Sequence, residues 1–320
     1  MALSTTSSLN SAIQDWNKDT ISSLVSIGTH KLFLSVSGPP RQANAPVIIV
    51  LAGVGETIRS YPALERIVSP FARILLYDRS GLGRSEDGPE RSTAVSAARE
   101  LKDALEATRI SPPFILVAHS YGAIVARELL HILRNDVAGM VLAEAATEQQ
   151  CQFFKIPDPN IAAVIGDLNV AQVTGLRADS ALSRDEWRAR AAERPRGMAA
   201  LQAEADSFIE VCETLGAKRQ FERQAMGGRP VSIIRCNGAR DYGRLFAKGV
   251  EVGNGTEEQR KAFRDLLDIW DDIDRELKEE QLRLSSMCHF VHIPDCGHNV
   301  QLVRPDVIAQ EIQWVLANIC

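Results

Sequence analysis

The sequence predicts an α/β fold: a mainly parallel sheet of eight strands with helices on both faces, interrupted once by a helical insertion. Three observations carry that prediction. Short apolar runs rich in Val, Ile and Leu recur between longer stretches of helical periodicity, the pattern of buried strands joined by covering helices. One run, Phe114 to His119, breaks into a turn of small residues around a single hydroxyl and then starts a helix. Between Ala145 and Arg229 the strand pattern stops altogether.

Taken in order, Leu24–Ile27 and Leu32–Val36 read as an opening antiparallel pair, followed by six parallel strands near Val47, Arg73, Phe114, Gly139, Val231 and Cys288. Helices are expected at Tyr61–Phe71, Thr93–Ala107, Gly122–Leu133 and Pro305–Ala317, the last with Pro in its first turn. In the insertion, Ser183-Arg-Asp-Glu186 has the form of a capping box, and Ala199–Gln224 reads as one or two helices. Thr256-Glu-Glu-Gln259 caps a further long helix. Its stripe of Phe263, Leu266, Leu267, Trp270, Ile273 and Leu277 packs on the body or forms a homodimer contact. The chain therefore divides at 1–145, 146–229 and 230–320, the middle part folding as a helical cap over the strand ends. Phe153, Phe154, Trp187, Met198, Phe208 and Met226 are its candidate pocket residues, each more readily explained by packing between helices, and the charged stretch Arg184–Arg196 reads as a solvated face.

Composition narrows the function. At 320 residues and 45% hydrophobic the chain can bury a large core, and a formal net charge of -5 with both signs interspersed offers no face for nucleic acid. The first twenty residues carry Asp15, Lys18 and Asp19 and no apolar run, which predicts neither a signal peptide nor a membrane span and a cytoplasmic location. Six Cys (151, 212, 236, 288, 296 and 320) without regular spacing read as free thiols. No metal or organic cofactor is called for.

The turn at Ser120 is built to present a nucleophile. In such an elbow the central residue is strained, and its neighbours two before and two after must be small so that strand and helix can pass closely; Ala118 and Gly122 occupy those places. The following amide, Tyr121 N–H, is aimed where a reacting carbonyl oxygen would sit. A Ser hydroxyl needs a base and the base an orienter. Of six His, His298 alone lies in a loop after a strand late in the chain, where an α/β sheet places reacting groups. His119, inside the elbow, is expected to point away from Ser120. Asp241, in the loop after the Val231 strand, is the first choice of acid; Glu144, directly after the Gly139 strand, is the alternative acid, and Asp295 ranks third.

A further Gly-rich turn, Ala52-Gly-Val-Gly-Glu56, follows the Val47 strand, and Asp78-Arg-Ser-Gly-Leu-Gly-Arg-Ser85 follows the next. With these, the chain resembles the α/β-hydrolase fold family, of the AB hydrolase-1 type with a helical cap. The resemblance covers most of the chain outside the insertion. It implies that the residue after the first Gly, Val54, donates the second oxyanion amide beside Tyr121, and that the D-x-x-G-x-G-x-S turn is structural. Ala52 stands where that family usually has a His that braces the loop. Glu56 is expected to point outward, since a carboxylate beside a developing oxyanion would oppose it. The resulting expectation is a serine hydrolase cleaving a carboxylic ester or lactone of a small, moderately apolar molecule through an acyl-enzyme on Ser120. C–C bond hydrolysis and acyl transfer by the same triad, or ligand binding on a silent hydrolase scaffold, remain open alternatives.

Overall fold

The structure, a computed structural model, describes residues 14–319; the first thirteen residues, part of the segment read above for a signal peptide, and Cys320 lie outside the described residues. Eight strands form one sheet: β1 Ile21–Ser26, β2 Lys31–Ser37, β3 Val47–Leu51, β4 Arg73–Tyr77, β5 Phe114–His119, β6 Val137–Ala143, β7 Val231–Arg235 and β8 Cys288–His292. Their order is β1-β2-β4-β3-β5-β6-β7-β8, with β2 antiparallel to both its neighbours and every other pair parallel. The sequence thus foretold the α/β class, the antiparallel opening and all six parallel strands.

Alternation within a strand divides the core in two. In β3, Val47, Ile49 and Leu51 face one apolar cluster, beneath helices Ala94–Thr108 and Gly122–Leu133. Ile48 and Val50 face the other, beneath helices Pro62–Val68 and Pro305–Ala317. Because both faces are covered, the strands are continuously apolar, which is why the sequence runs without alternation.

After β3 the chain turns to β4 on one side and then returns to β5 on the other. The crevice outside the carboxyl ends of β3 and β5 is where an open α/β sheet takes its ligand. It is bounded by the two turns singled out above.

Between β6 and β7 the described residues contain helices and no strand, as expected. Ser183 caps the helix Arg184–Glu193 with Glu186 returning the bond, and Met198–Asp206 and Phe208–Gly216 follow. Thr256 opens the long helix Glu257–Glu280 with a capping box. That helix turns its apolar stripe inward: Phe263 packs edge-on to Phe246, and Trp270 sits 4.4 Å from the Tyr242 ring and 4.7 Å from that of Phe154. No described helix is long and apolar enough to cross a membrane.

Candidate active site

Ser120 stands at the end of β5 with φ 51, a left-handed conformation that a side chain adopts at a cost of order 1–3 kcal/mol. Tight packing holds it there. A Cβ on Gly122 would lie 2.1 Å from the Leu51 carbonyl oxygen, so the helix can start only with a glycine at that place. The Ser120 amide donates to Ala143 O at 3.3 Å and its carbonyl accepts from Ala146 N at 3.1 Å, pinning the turn to the end of β6.

From that turn the hydroxyl reaches His298 Nε2 at 3.1 Å. On the other edge of the ring, Nδ1 lies 3.2 Å from Glu144 Oε2. Glu144 is 3% exposed, sits directly after β6 at φ 48, and takes the Cys236 amide on Oε1 at 2.5 Å. Burial alone would raise its pKa, but the buried Lys278 ammonium, His298 and the Cys236 amide hold it below the usual carboxylate range. With Glu144 ionised, the imidazole carries its proton on Nδ1 and leaves Nε2 free to accept from Ser120.

The expectation that Asp241 accepts from His298 Nδ1 is corrected by this geometry. Asn237 caps a helix, Gly238–Glu251, that begins at once after β7, so residue 241 falls in a first helical turn rather than in a loop. Its carboxylate approaches the backbone of Gly297 and His298 instead of the ring. A Cβ on Gly297 would meet Asp241 Oδ2 at 1.9 Å, and the His298 amide lies beside the carboxylate. Burial, the largest influence, raises the Asp241 pKa. Asp241 therefore underlies the His298 loop while Glu144 meets the ring.

Val54, on the turn after β3, borders the site, and Tyr121 follows Ser120 directly at the start of the next helix. Among the described residues neither backbone N–H donates to a protein acceptor. The turn carrying Val54 is braced from behind. Arg79 donates to Ala52 O and Gly53 O, each at 2.7 Å, and forks onto Glu204 at 2.5 and 2.9 Å; Glu204 in turn accepts from the Gly55 amide at 2.8 Å. Here a buried guanidinium occupies the bracing role that Ala52 leaves open.

Glu56 points inward, contrary to expectation. Its carboxylate is 3.1 Å from Ser60 Oγ and from Gln301 Nε2, 3.3 Å from Arg190 and 3.4 Å from His119 Nδ1. Burial would raise its pKa, yet His119, Arg190 and Ser60 hold it well below the ordinary value. These partners neutralise it, which is why it is tolerated beside the site. His119, expected to point away, donates from Nε2 to His298 O at 2.9 Å, and its ring centre lies 5.0 Å from that of His298.

Above Ser120 and His298 opens a cleft of about 540 Å³. The insertion supplies one wall, with Leu168, Val170, Leu176 and Leu201 apolar and Arg190 and Arg194 cationic. The two arginines correct the reading of Arg184–Arg196 as a solvated face only. None of the aromatic and Met residues named as pocket candidates lines the cleft; Phe208 and Met226, for instance, are in the core. Sequence reasoning passed over Arg79, Glu204 and Lys278, since a buried charge looks like a surface one until its partner is known.

A sequence model of the Alpha/beta hydrolase family matches residues 48–311. The chain is similar to "Probable transporter efuK" of Hormonema carpetanum, 34% identical over 300 residues; the match covers 92% of this chain and 42% of that one, so the chain spans less than half of that relative's length. It is also 32% identical over 298 residues to an "AB hydrolase superfamily protein" of Gibberella zeae, covering 89% of this chain and 91% of the relative. Among solved structures, a putative lipase from Acinetobacter baumannii superposes with TM-score 0.66 over 95% of this chain and 93% of that one, at 12% identity.

Proposed function

The chain belongs to the alpha/beta hydrolase family, and from that premise we propose that it is a serine hydrolase acting on a carboxylic ester or lactone of a small, moderately apolar molecule. One observation carries the proposal: the unbroken relay from Ser120 Oγ through His298 to Glu144, at 3.1 and 3.2 Å, with Ser120 held at positive φ. In this reading Ser120 attacks the carbonyl carbon as its proton passes to His298 Nε2. Glu144 keeps the Nδ1 proton in place and stabilises the imidazolium, and the amides of Val54 and Tyr121 receive the oxyanion. The tetrahedral intermediate then collapses, the C–O bond to the alcohol breaks, and His298 returns the proton to the leaving oxygen. Water, deprotonated by the same His, releases the acid from Ser120.

Residues 146–229 act as the cap, between the core segments that precede and follow them in the described residues. Mostly apolar lining from Leu168, Val170, Leu176 and Leu201 supports a moderately apolar substrate. The test is a fluorophosphonate probe, with Ser120→Ala as the control. Covalent labelling of the wild type that vanishes in the variant is the expected result; labelling that persists, or a wild type that never labels, removes Ser120 as nucleophile. A panel of p-nitrophenyl esters beside lactones and 1,3-diketones then separates ester from C–C cleavage.

A further inference from the structure

We propose that Arg79 and Glu204 are positioning residues for the oxyanion hole, and that Glu204 makes the seating of the helical insertion a condition of that hole's geometry. The inference rests on the serine-hydrolase reading and adds to it the device that aims one of its two donors.

A single peptide unit links the brace to the donor. Gly53 C=O and Val54 N–H belong to the same planar group, and in a trans peptide they point in opposite directions. Arg79 Nη2 donates to that carbonyl at 2.7 Å, and the same guanidinium donates to the preceding carbonyl, Ala52 O, at 2.7 Å. Two bonds from one rigid fork fix the rotation of the peptide, and with it the direction of Val54 N–H. A cation on the carbonyl also polarises the amide at its other end, strengthening the donor. On the far side of Val54, the Gly55 amide donates to Glu204 Oε2 at 2.8 Å. Val54 is thus clamped before and after by the two members of one ion pair.

The pair is a built feature. Arg79 and Glu204 are 3% and 1% exposed, with a bidentate contact at 2.5 and 2.9 Å. A buried ion pair of this kind is a poor source of stability compared with apolar side chains of similar size. Its retention is explained by its partners: every side-chain hydrogen bond that the pair makes outside itself goes to the turn after β3, at Ala52 O, Gly53 O and the Gly55 amide. The two residues are 125 positions apart, Arg79 from the turn after β4 and Glu204 from the insertion helix Met198–Asp206. Leu201 of the same helix lies against Gly55, where a Cβ would meet its side chain at 2.4 Å, so the helix and the turn are in van der Waals register as well. If the insertion lifts, Arg79 loses its counter-charge and Gly55 its acceptor together. The donor at Val54 is then aimed only while the insertion is seated.

The test uses Arg79→Lys, which keeps the charge but not the fork, and Glu204→Gln, which keeps an acceptor but not the charge. Each is assayed with p-nitrophenyl butyrate and with butylboronic acid, which forms a tetrahedral adduct on an active serine. Removing one oxyanion donor lowers kcat by about 10²–10³-fold; misdirecting it should lower kcat by about 10–100-fold, with KM within about threefold. Boronate affinity should fall in step with kcat/KM, a signature that general loosening of the pocket would not give. Should either variant fail to fold, the double change Arg79→Met with Glu204→Leu keeps the packing without charges, and is expected to fold with the same loss of kcat. Variants that keep kcat within twofold, or that raise KM alone, overturn the inference. Absence of fluorophosphonate labelling in the wild type would instead remove the serine-hydrolase reading, and this inference with it.

Discussion

Replacing Glu144 by Gln tests the assignment of the acid by way of a proton count. The Cys236 amide is a fixed donor 2.5 Å from one oxygen of Glu144, so in the variant the Gln carbonyl oxygen must take that place. Its NH₂ group is then forced toward His298 Nδ1, where the carboxylate oxygen stood at 3.2 Å. Two donors cannot face each other, so Nδ1 gives up its proton and Nε2 acquires it. Nε2, 3.1 Å from Ser120 Oγ, can then no longer accept the hydroxyl proton. The loss expected from a wrong tautomer in such a triad is about 10⁴ in kcat, or about 5 kcal/mol of barrier. Asp241→Asn leaves the ring untouched and should cost less than about tenfold, through a slightly displaced His298 loop. The assay is steady-state hydrolysis of p-nitrophenyl butyrate, with thermal unfolding to show that both variants are folded. A folded Glu144→Gln protein within tenfold of wild type, beside an Asp241→Asn protein that has lost a thousandfold, would return the acid to Asp241.

Two further predictions concern the surroundings of the relay. Gly297→Ala places a Cβ 1.9 Å from Asp241 Oδ2 and should destabilise the fold by about 1–3 kcal/mol in urea unfolding while lowering kcat. In an Asp241→Ala background the same change should cost much less; equal costs in both would mean that the contact is not the cause. Glu56 has a folded-state pKa depressed below the ordinary value of 4.5. Its contribution to stability is therefore complete above pH 4.5 and is lost as pH falls through the folded-state value. The Tm advantage of wild type over Glu56→Gln should shrink as pH falls below 4.5; an advantage that grows there would contradict the ion-pair description.

How much could be read in advance depends on the range of the physical signal. Where the cause lies within a few residues, the local amino-acid order sets the outcome. Ala118 and Gly122 flank Ser120 because strand and helix must pass closely there, Ser183 and Thr256 announce helix starts through their own side chains, and the apolar strands needed only their composition. The choice of acid was less legible. Glu144 and Asp241 follow neighbouring strands, β6 and β7, and both fit the chain order. What separates them is direction: Asn237 starts a helix that carries the Asp241 side chain to the His298 backbone, whereas the positive φ at Glu144 turns its side chain under the ring.

Tertiary structure alone decided the rest. The inward turn of Glu56 required Arg190 and Gln301, and the brace of the Val54 turn required Glu204, each more than a hundred positions away. A charged side chain has no fixed place until its counter-charge is in reach. Desolvating it alone costs far more than local backbone preference can return, so its orientation is settled only when distant segments have packed.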